Sequence, residues 1–186
     1  MSDRDYEYEG CEQFHLDQQS PQWITWQANL DFEVAAFVAE HLAVVGNEPW
    51  SRDGLVHAEL AATRFFPTRK SLWLPERLVL ADQFGMYLGE VLRRKFRGEW
   101  INLPGTPDWG DGLGPTIRFP FTNLITEVRD SLVCAVQDRG GQNWPALWDD
   151  QLRYLREWRK LGCPPRTEWE QAGWVPPEDL EGRRGA

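Results

Sequence analysis

The side chains best suited to chemistry are few and scattered along the chain. Cys11 and His15 stand four apart, but no second ligand pair accompanies them and their segment offers nothing to hold a thiol and an imidazole in a dry, oriented site. Cys11, Cys134 and Cys163 form no CxxC pair, which argues against a disulfide framework or a zinc site. Ser51, Ser71 and Ser131 lack the Gly-x-Ser-x-Gly surroundings of a nucleophile elbow. His57 and Glu59, two apart, fall on different helix faces. Asp82 and Glu90 lie eight apart, about 80° around a helix axis, so neither pair is a ready acid/base dyad. Glu90 has two readings. Buried, it could act as an acid or base with a raised pKa; paired with Arg93 or Arg94 at helical spacing it is an ion pair worth about 0.2–0.5 kcal/mol if exposed, the simpler account. No catalytic residue, cofactor or metal is assigned on these grounds.

The strongest binding candidate is the loop over residues 104–114, which holds four glycines, Asp108, Trp109 and Asp111. As a phosphate cradle it lacks the Lys-Ser/Thr ending, and its acids would repel phosphate. As a calcium loop it lacks the carboxylate count and the closing Glu. As a protein-binding tip it would use Trp109 as an exposed anchor, with Asp108 and Asp111 selecting a basic partner. The plain alternative is a long connection within a hairpin.

The charge balance narrows the partners. A net charge of −9 argues against DNA or RNA, whose binders need a broad basic field. The one basic run, Arg93-Arg94-Lys95-Phe96-Arg97, falls where a helix should end, where cations complement the macrodipole. The start Met1-Ser2-Asp3-Arg4-Asp5 lacks the pattern of a signal peptide, and no apolar run of about 18 residues occurs, so no membrane partner and a cytoplasmic location are expected.

These candidates must be positioned by elements legible from periodicity. Residues 1–20 carry six acids against Arg4 alone and read as a flexible acidic arm, although Tyr6, Tyr8 and Phe14 permit docking. Residues 21–178 read as a single α+β domain, and 179–186 as a polar tail. A first helix is predicted over 31–45 with Asp31 as N-cap and His41 on its apolar stripe, and a second over 53–64. The third, over 75–97, is the spine of the domain: Leu80, Phe84, Tyr87, Leu88, Val91 and Leu92 give it a broad apolar face. Ala81, Gly85 and Gly89 recur every four residues along it. Two interior glycines each cost about 0.8–1 kcal/mol against Ala, which calls for a backbone or a ring packed closely upon them. Strands follow over 99–103 and 115–121, then helices over 123–136 and 145–161. The fold class is therefore α+β, with about five helices packed around the long helix and a small antiparallel sheet. Eleven tryptophans among 186 residues should be used mostly in its core, since each buried ring removes about 150–250 Å² from water.

Gly85, Gly89, Glu90, Arg93, Arg94, Gly98 and Trp100, with the strand at Ile117 to Pro120, give the chain a resemblance to a group of bacterial proteins. In these, a Gly-x-x-x-Gly-Glu helix leads through basic residues to a Gly-x-Trp strand. The match covers about 40 residues. Similar small acidic proteins include immunity proteins of bacterial toxin systems, and that resemblance implies a context without supplying a catalytic residue. The leading expectation is a noncatalytic cytoplasmic protein-binding module, an immunity-like inhibitor whose acidic surface meets a basic protein. The alternative is a small enzyme or small-molecule binder with a Trp-lined pocket near the helix-to-sheet junction, served by Glu90 or His57.

Overall fold

Six α-helices and three short strands make up the residues that the computed structural model describes, 11–42, 48–104, 109 and 111–165. In chain order these are α1 (Glu12–Gln18), α2 (Pro21–His41), α3 (Arg52–Phe65), α4 (Leu78–Phe96), β1 (Glu99–Asn102), β2 (Pro115–Arg118), β3 (Ile125–Glu127), α5 (Val128–Asp138) and α6 (Asn143–Lys160). Two 3-10 turns, Arg69–Trp73 and Pro75–Arg77, join α3 to α4. The strands form one antiparallel sheet in the order β1-β2-β3, with Trp100 opposite Ile117 and Ile117 opposite Thr126. The α+β architecture expected from the sequence is the one observed.

The spine is α4. Phe84, Tyr87, Leu88, Val91 and Leu92 are all fully buried on it, because its apolar residues cover more than one stripe and α2, α5 and α6 pack around it. It begins after a 3-10 turn opened by Pro75 and ends with Arg97 in the left-handed region at φ 57, a place expected for Gly98. Gly98 serves one position further on, its N–H closing onto the Arg93 carbonyl at 3.1 Å. The small-residue ridge is used as the sequence suggests. Gly85 admits Val128 of α5, and Gly89 lies under the indole ring of Trp100.

Three expectations need correction. The first long helix starts ten residues before Asp31: Ser20 accepts from the Trp23 N–H at 3.3 Å with Pro21 at the first helical position, and Trp23, Trp26, Leu30, Val34 and Phe37 make its buried stripe. Asp31 lies exposed on its outer face. Secondly, residues 125–127 are not helical. They pair with β2 as β3, and the helix begins at Val128. Thirdly, the acidic arm is ordered over its second half, where α1 buries Phe14. Gln18 holds the open edge of β1 like an added strand, its side-chain oxygen accepting from Asn102 N at 2.8 Å and its amide donating to Asn102 O at 2.7 Å. Residues 1–10 and the tail over 179–186 lie outside the described residues.

Among the described residues six tryptophans are buried, and Trp50, Trp73 and Trp158 pack partly against the same core. Trp26 stacks on Trp23 at 5.0 Å and meets the face of Trp100 edge-on at 5.0 Å, which ties α2 to the sheet across α4. The start of α6 is fixed from a distance. Glu59 of α3, fully buried, accepts from the backbone N–H groups of Asn143 at 3.0 Å and Trp144 at 2.9 Å, a carboxylate set where the helix leaves donors unpaired.

Candidate functional site

Glu90 is both buried and paired, so the two sequence readings meet in one arrangement. Its Oε1 accepts from Arg93 Nε at 2.6 Å and from Trp100 Nε1 at 2.8 Å, and its Oε2 from Arg93 Nη2 at 3.0 Å and Arg94 Nε at 2.9 Å. Burial alone would raise the carboxyl pKa, but the hydrogen bonds from Arg93, Trp100 and Arg94 outweigh it and hold the pKa below the ordinary range. A carboxylate kept ionised and saturated with donors is a structural anchor and a poor general acid. Arg94 in turn lies over the Trp50 ring at 3.8 Å, extending the anchor to the loop before α3.

This anchor carries a pH signature. A carboxyl whose folded pKa is depressed stabilises the fold fully above its unfolded pKa, near 4.3 for Glu, and that stabilisation is lost as pH falls toward the folded value. Thermal melts between about pH 7 and pH 3 should therefore show a steep acid limb, made shallower by Glu90→Gln, which removes the titration. Parallel acid limbs in the two proteins would mean that Glu90 carries no linked proton.

The loop expected to present Trp109 does something different. Trp109 is only 7% exposed, its ring packed against Trp73 at 6.1 Å and under the guanidinium of Arg129 at 5.0 Å. The exposed tip is thus corrected to an inward-turned ring, because Arg129 offers its face a cation and the 3-10 turn before α4 offers Trp73. Asp111 is likewise engaged. All five N–H donors of Arg129 are used: Nε and Nη2 on Asp82 Oδ1 at 3.0 and 2.8 Å, Nη1 and Nη2 on Asp111 at 2.9 and 2.6 Å, and Nη1 on the Leu113 carbonyl at 2.9 Å. Asp82 also accepts from Trp26 Nε1 at 2.8 Å, so the chain of contacts runs from α2 through α4 and α5 into the loop. Burial works against the Arg129 charge, yet Asp111 and Asp82 outweigh it, and the Asp111 carboxyl is held below its usual range by Arg129 in spite of its own partial burial. Asp108 lies outside the described residues.

The surface that stays available lies between α5 and α6. The buried stripe of α5 is Val128, Leu132, Ala135 and Val136, so Glu127, Asp130, Cys134 and Asp138 turn to the other side at spacings of three and four. There they line a groove of about 630 Å³ whose far wall is Asn143, Ala146, Leu147 and Asp150 of α6. Its lining holds four carboxylates, Glu127, Asp130, Asp138 and Asp150, together with apolar Ile125 and Leu147, and no lysine or arginine. Asp150 is bonded to Arg153 at 3.0 Å, whereas Asp130 and Asp138 have no ion-pair partner among the described residues. The Cys134 thiol is pushed up by burial and by Asp138 and Asp130, which leaves it a poor nucleophile.

The remaining candidates do not converge. His57 is exposed, one ring nitrogen on the Asp53 carbonyl at 2.8 Å, while Glu59 points into the core as a cap. His41 is partly buried, packed between Phe37 at 5.3 Å and Phe65 at 5.0 Å. No group of three or more His, Cys, Asp or Glu poised to hold a metal ion occurs among the described residues, and none of their helices is long and apolar enough to cross a membrane. Sequence reasoning missed the groove, although Asp130, Cys134 and Asp138 stood at helical spacing opposite the apolar stripe and could have marked it. Comparison with known proteins gives no kinship to set beside this geometry: no family model, curated protein or solved structure matches the chain.

Proposed function

We propose that the chain is a noncatalytic protein-binding module, acting as an immunity-like inhibitor, that receives a basic segment of another protein in the groove between α5 and α6. The observation that carries this reading is the composition of the lining, four carboxylates around apolar Ile125 and Leu147 with no lysine or arginine among the lining residues, on a chain of net charge −9. Such a surface attracts a basic partner over a distance and offers Leu147 and Ile125 as apolar ground once water is displaced. The catalytic alternative finds less support. The helix-to-sheet junction where a Trp-lined pocket was expected is filled by Trp100 on Gly89, and its acid, Glu90, is saturated by partners within the chain. The loop of Trp109 and Asp111 is spent on Arg129, so the binding surface is assigned to the helical groove instead.

The test is affinity capture from the native host followed by binding kinetics on the captured protein. Asp130→Asn combined with Asp138→Asn should slow association about tenfold and flatten its dependence on salt, because exposed charges act mainly on the encounter. The melting midpoint should hardly move, since neither side chain is ion-paired among the described residues. Unchanged association by the double variant would take the interface away from this groove.

A further inference from the structure

The backbone of its walls decides what form of segment the acidic groove can take. Both walls are helices, α5 and α6, whose N–H and C=O groups are spent on their own ladders. The donors left open at the start of α6 are taken as well, since Asn143 and Trp144 give their N–H groups to Glu59 at 3.0 and 2.9 Å. An extended segment laid along this trough would bury main-chain groups without partners, each at a cost comparable to a lost hydrogen bond. Only the outer edge of β3, Ile125–Glu127, could pair with it, and that edge reaches just the end of the groove where α5 begins. A helix brings its own hydrogen bonds and asks the walls for side chains alone.

Those side chains are open and spaced for one. Asp130, Cys134 and Asp138 are all exposed and follow one another at intervals of four on α5, so two carboxylates bracket a small, weakly polar thiol over about 12 Å of axis. They form a single ridge of the i±4 kind, and a like ridge on another helix packs alongside it at the commonest crossing angle, about −50°. On the facing wall Ala146 is exposed and Leu147 half-buried, which leaves room for a third helix axis and apolar ground beneath it. The cations nearest the groove are engaged elsewhere: Arg139 donates to the Thr63 and Pro67 carbonyls at 3.0 and 2.8 Å, Arg69 lies over the Trp73 ring at 5.5 Å, and Arg153 is on Asp150. Asp130 and Asp138 are thus the acids left to meet a partner's cations.

On the assignment of this groove as the binding surface, we propose that the partner enters it as an α-helix carrying Arg or Lys at positions i and i+8 around an apolar residue at i+4. The apolar side chain packs on Cys134, Ala146 and Leu147, and the two cations meet Asp130 and Asp138. Because the pattern reads the same from either end, it serves an incoming helix of either direction.

Three alanine-based peptides of about 17 residues, long enough to hold a helix in water, serve as probes. The first carries Arg at i and i+8 and Leu at i+4; the second has the same composition with one Arg moved to the opposite helix face; the third keeps the first pattern but has Pro for a central Ala, which breaks the helix. Binding is measured on the full chain at low ionic strength by fluorescence anisotropy, with amide NMR shifts to locate it. The first peptide should shift amides of α5 and α6 and bind about fivefold tighter than the second, the upper range for one exposed ion pair, and tighter than the third by at least as much. Asp130→Asn combined with Asp138→Asn should abolish the difference between the first and second. Equal affinity of all three peptides, each weakened by the double variant, would overturn the helical form and leave the groove as a site for basic segments. No shift of α5 and α6 by any of the three would overturn the helical form and the groove assignment together.

Discussion

Replacing Arg129 with Met is expected to lower stability by about 3 kcal/mol, the lower end of the range for breaking a buried ion pair. Arg129 is 4% exposed and spends every donor on Asp82, Asp111 and the Leu113 carbonyl, so its loss strands two carboxylates and a carbonyl at once. The side chains of Asp82 and Asp111 keep 21% and 41% of their exposure, which lets water recover part of the cost and keeps the figure at the low end. For a chain of this length about 3 kcal/mol corresponds to a fall of roughly 6–12 °C in melting midpoint. Arg129→Lys should recover little, because an ammonium cannot satisfy two carboxylates and a carbonyl with the fork geometry of a guanidinium. Urea unfolding of the Met variant that costs less than about 1 kcal/mol would show that the network is replaceable by water and that the loop is held by Trp109 packing instead.

That network also marks where the sequence stopped being legible. The spine over 78–96 could be read because its information is local: apolar residues at helical spacing and small residues every four positions both declare a face. The start of α2 was present in the sequence as Ser20-Pro21 followed by Trp23, Trp26 and Leu30, yet Asp31 before a second apolar stripe gave a competing N-cap signal. Tertiary packing of Trp26 on Asp82 and Trp100, with Trp23 stacked upon it, decides for the earlier start. Ile125, Val128 and Leu132 fit one helical period, and only the pairing of 125–127 with β2 as β3 takes Ile125 out of it.

The candidate sites were less legible still, for the same reason. Nothing at positions 82, 111 and 129 announces that two acids will converge on one guanidinium, since their meeting depends on how α4, α5 and the loop are stacked. Trp109 was read as exposed because glycines and acids surround it in sequence, while its neighbours in space are Arg129 and Trp73. The groove is likewise a space between helices, and a space has no residue of its own.

Gly89→Leu is the substitution expected to cost the most on the spine, about 3 kcal/mol or more. A Cβ at this position would overlap the outer edge of the Trp100 indole, and the ring has little freedom to yield. Its Nε1 is bonded to Glu90 at 2.8 Å, and the edge of Trp26 abuts it at 5.0 Å, so a displaced indole would break a buried charge-assisted bond and the link to α2 together. Gly89→Ala separates the effects: it gains about 0.8–1 kcal/mol of helix propensity and still should come out destabilised by about 1 kcal/mol or more, because the clash begins at Cβ. Gly85→Ala is the internal control. There the added carbon would meet Val128, its Cγ2 nearest at 3.3 Å, which can give slightly, so the propensity gain should bring that variant near neutrality. The decisive measurement is a double-mutant cycle with Trp100→Leu, in which the cost of Gly89→Ala should largely vanish once the ring is gone. A Gly89→Ala variant as stable as Gly85→Ala, or a cycle with no coupling to Trp100, would show that the indole does not bear on α4 and that the glycine ridge is incidental to the fold.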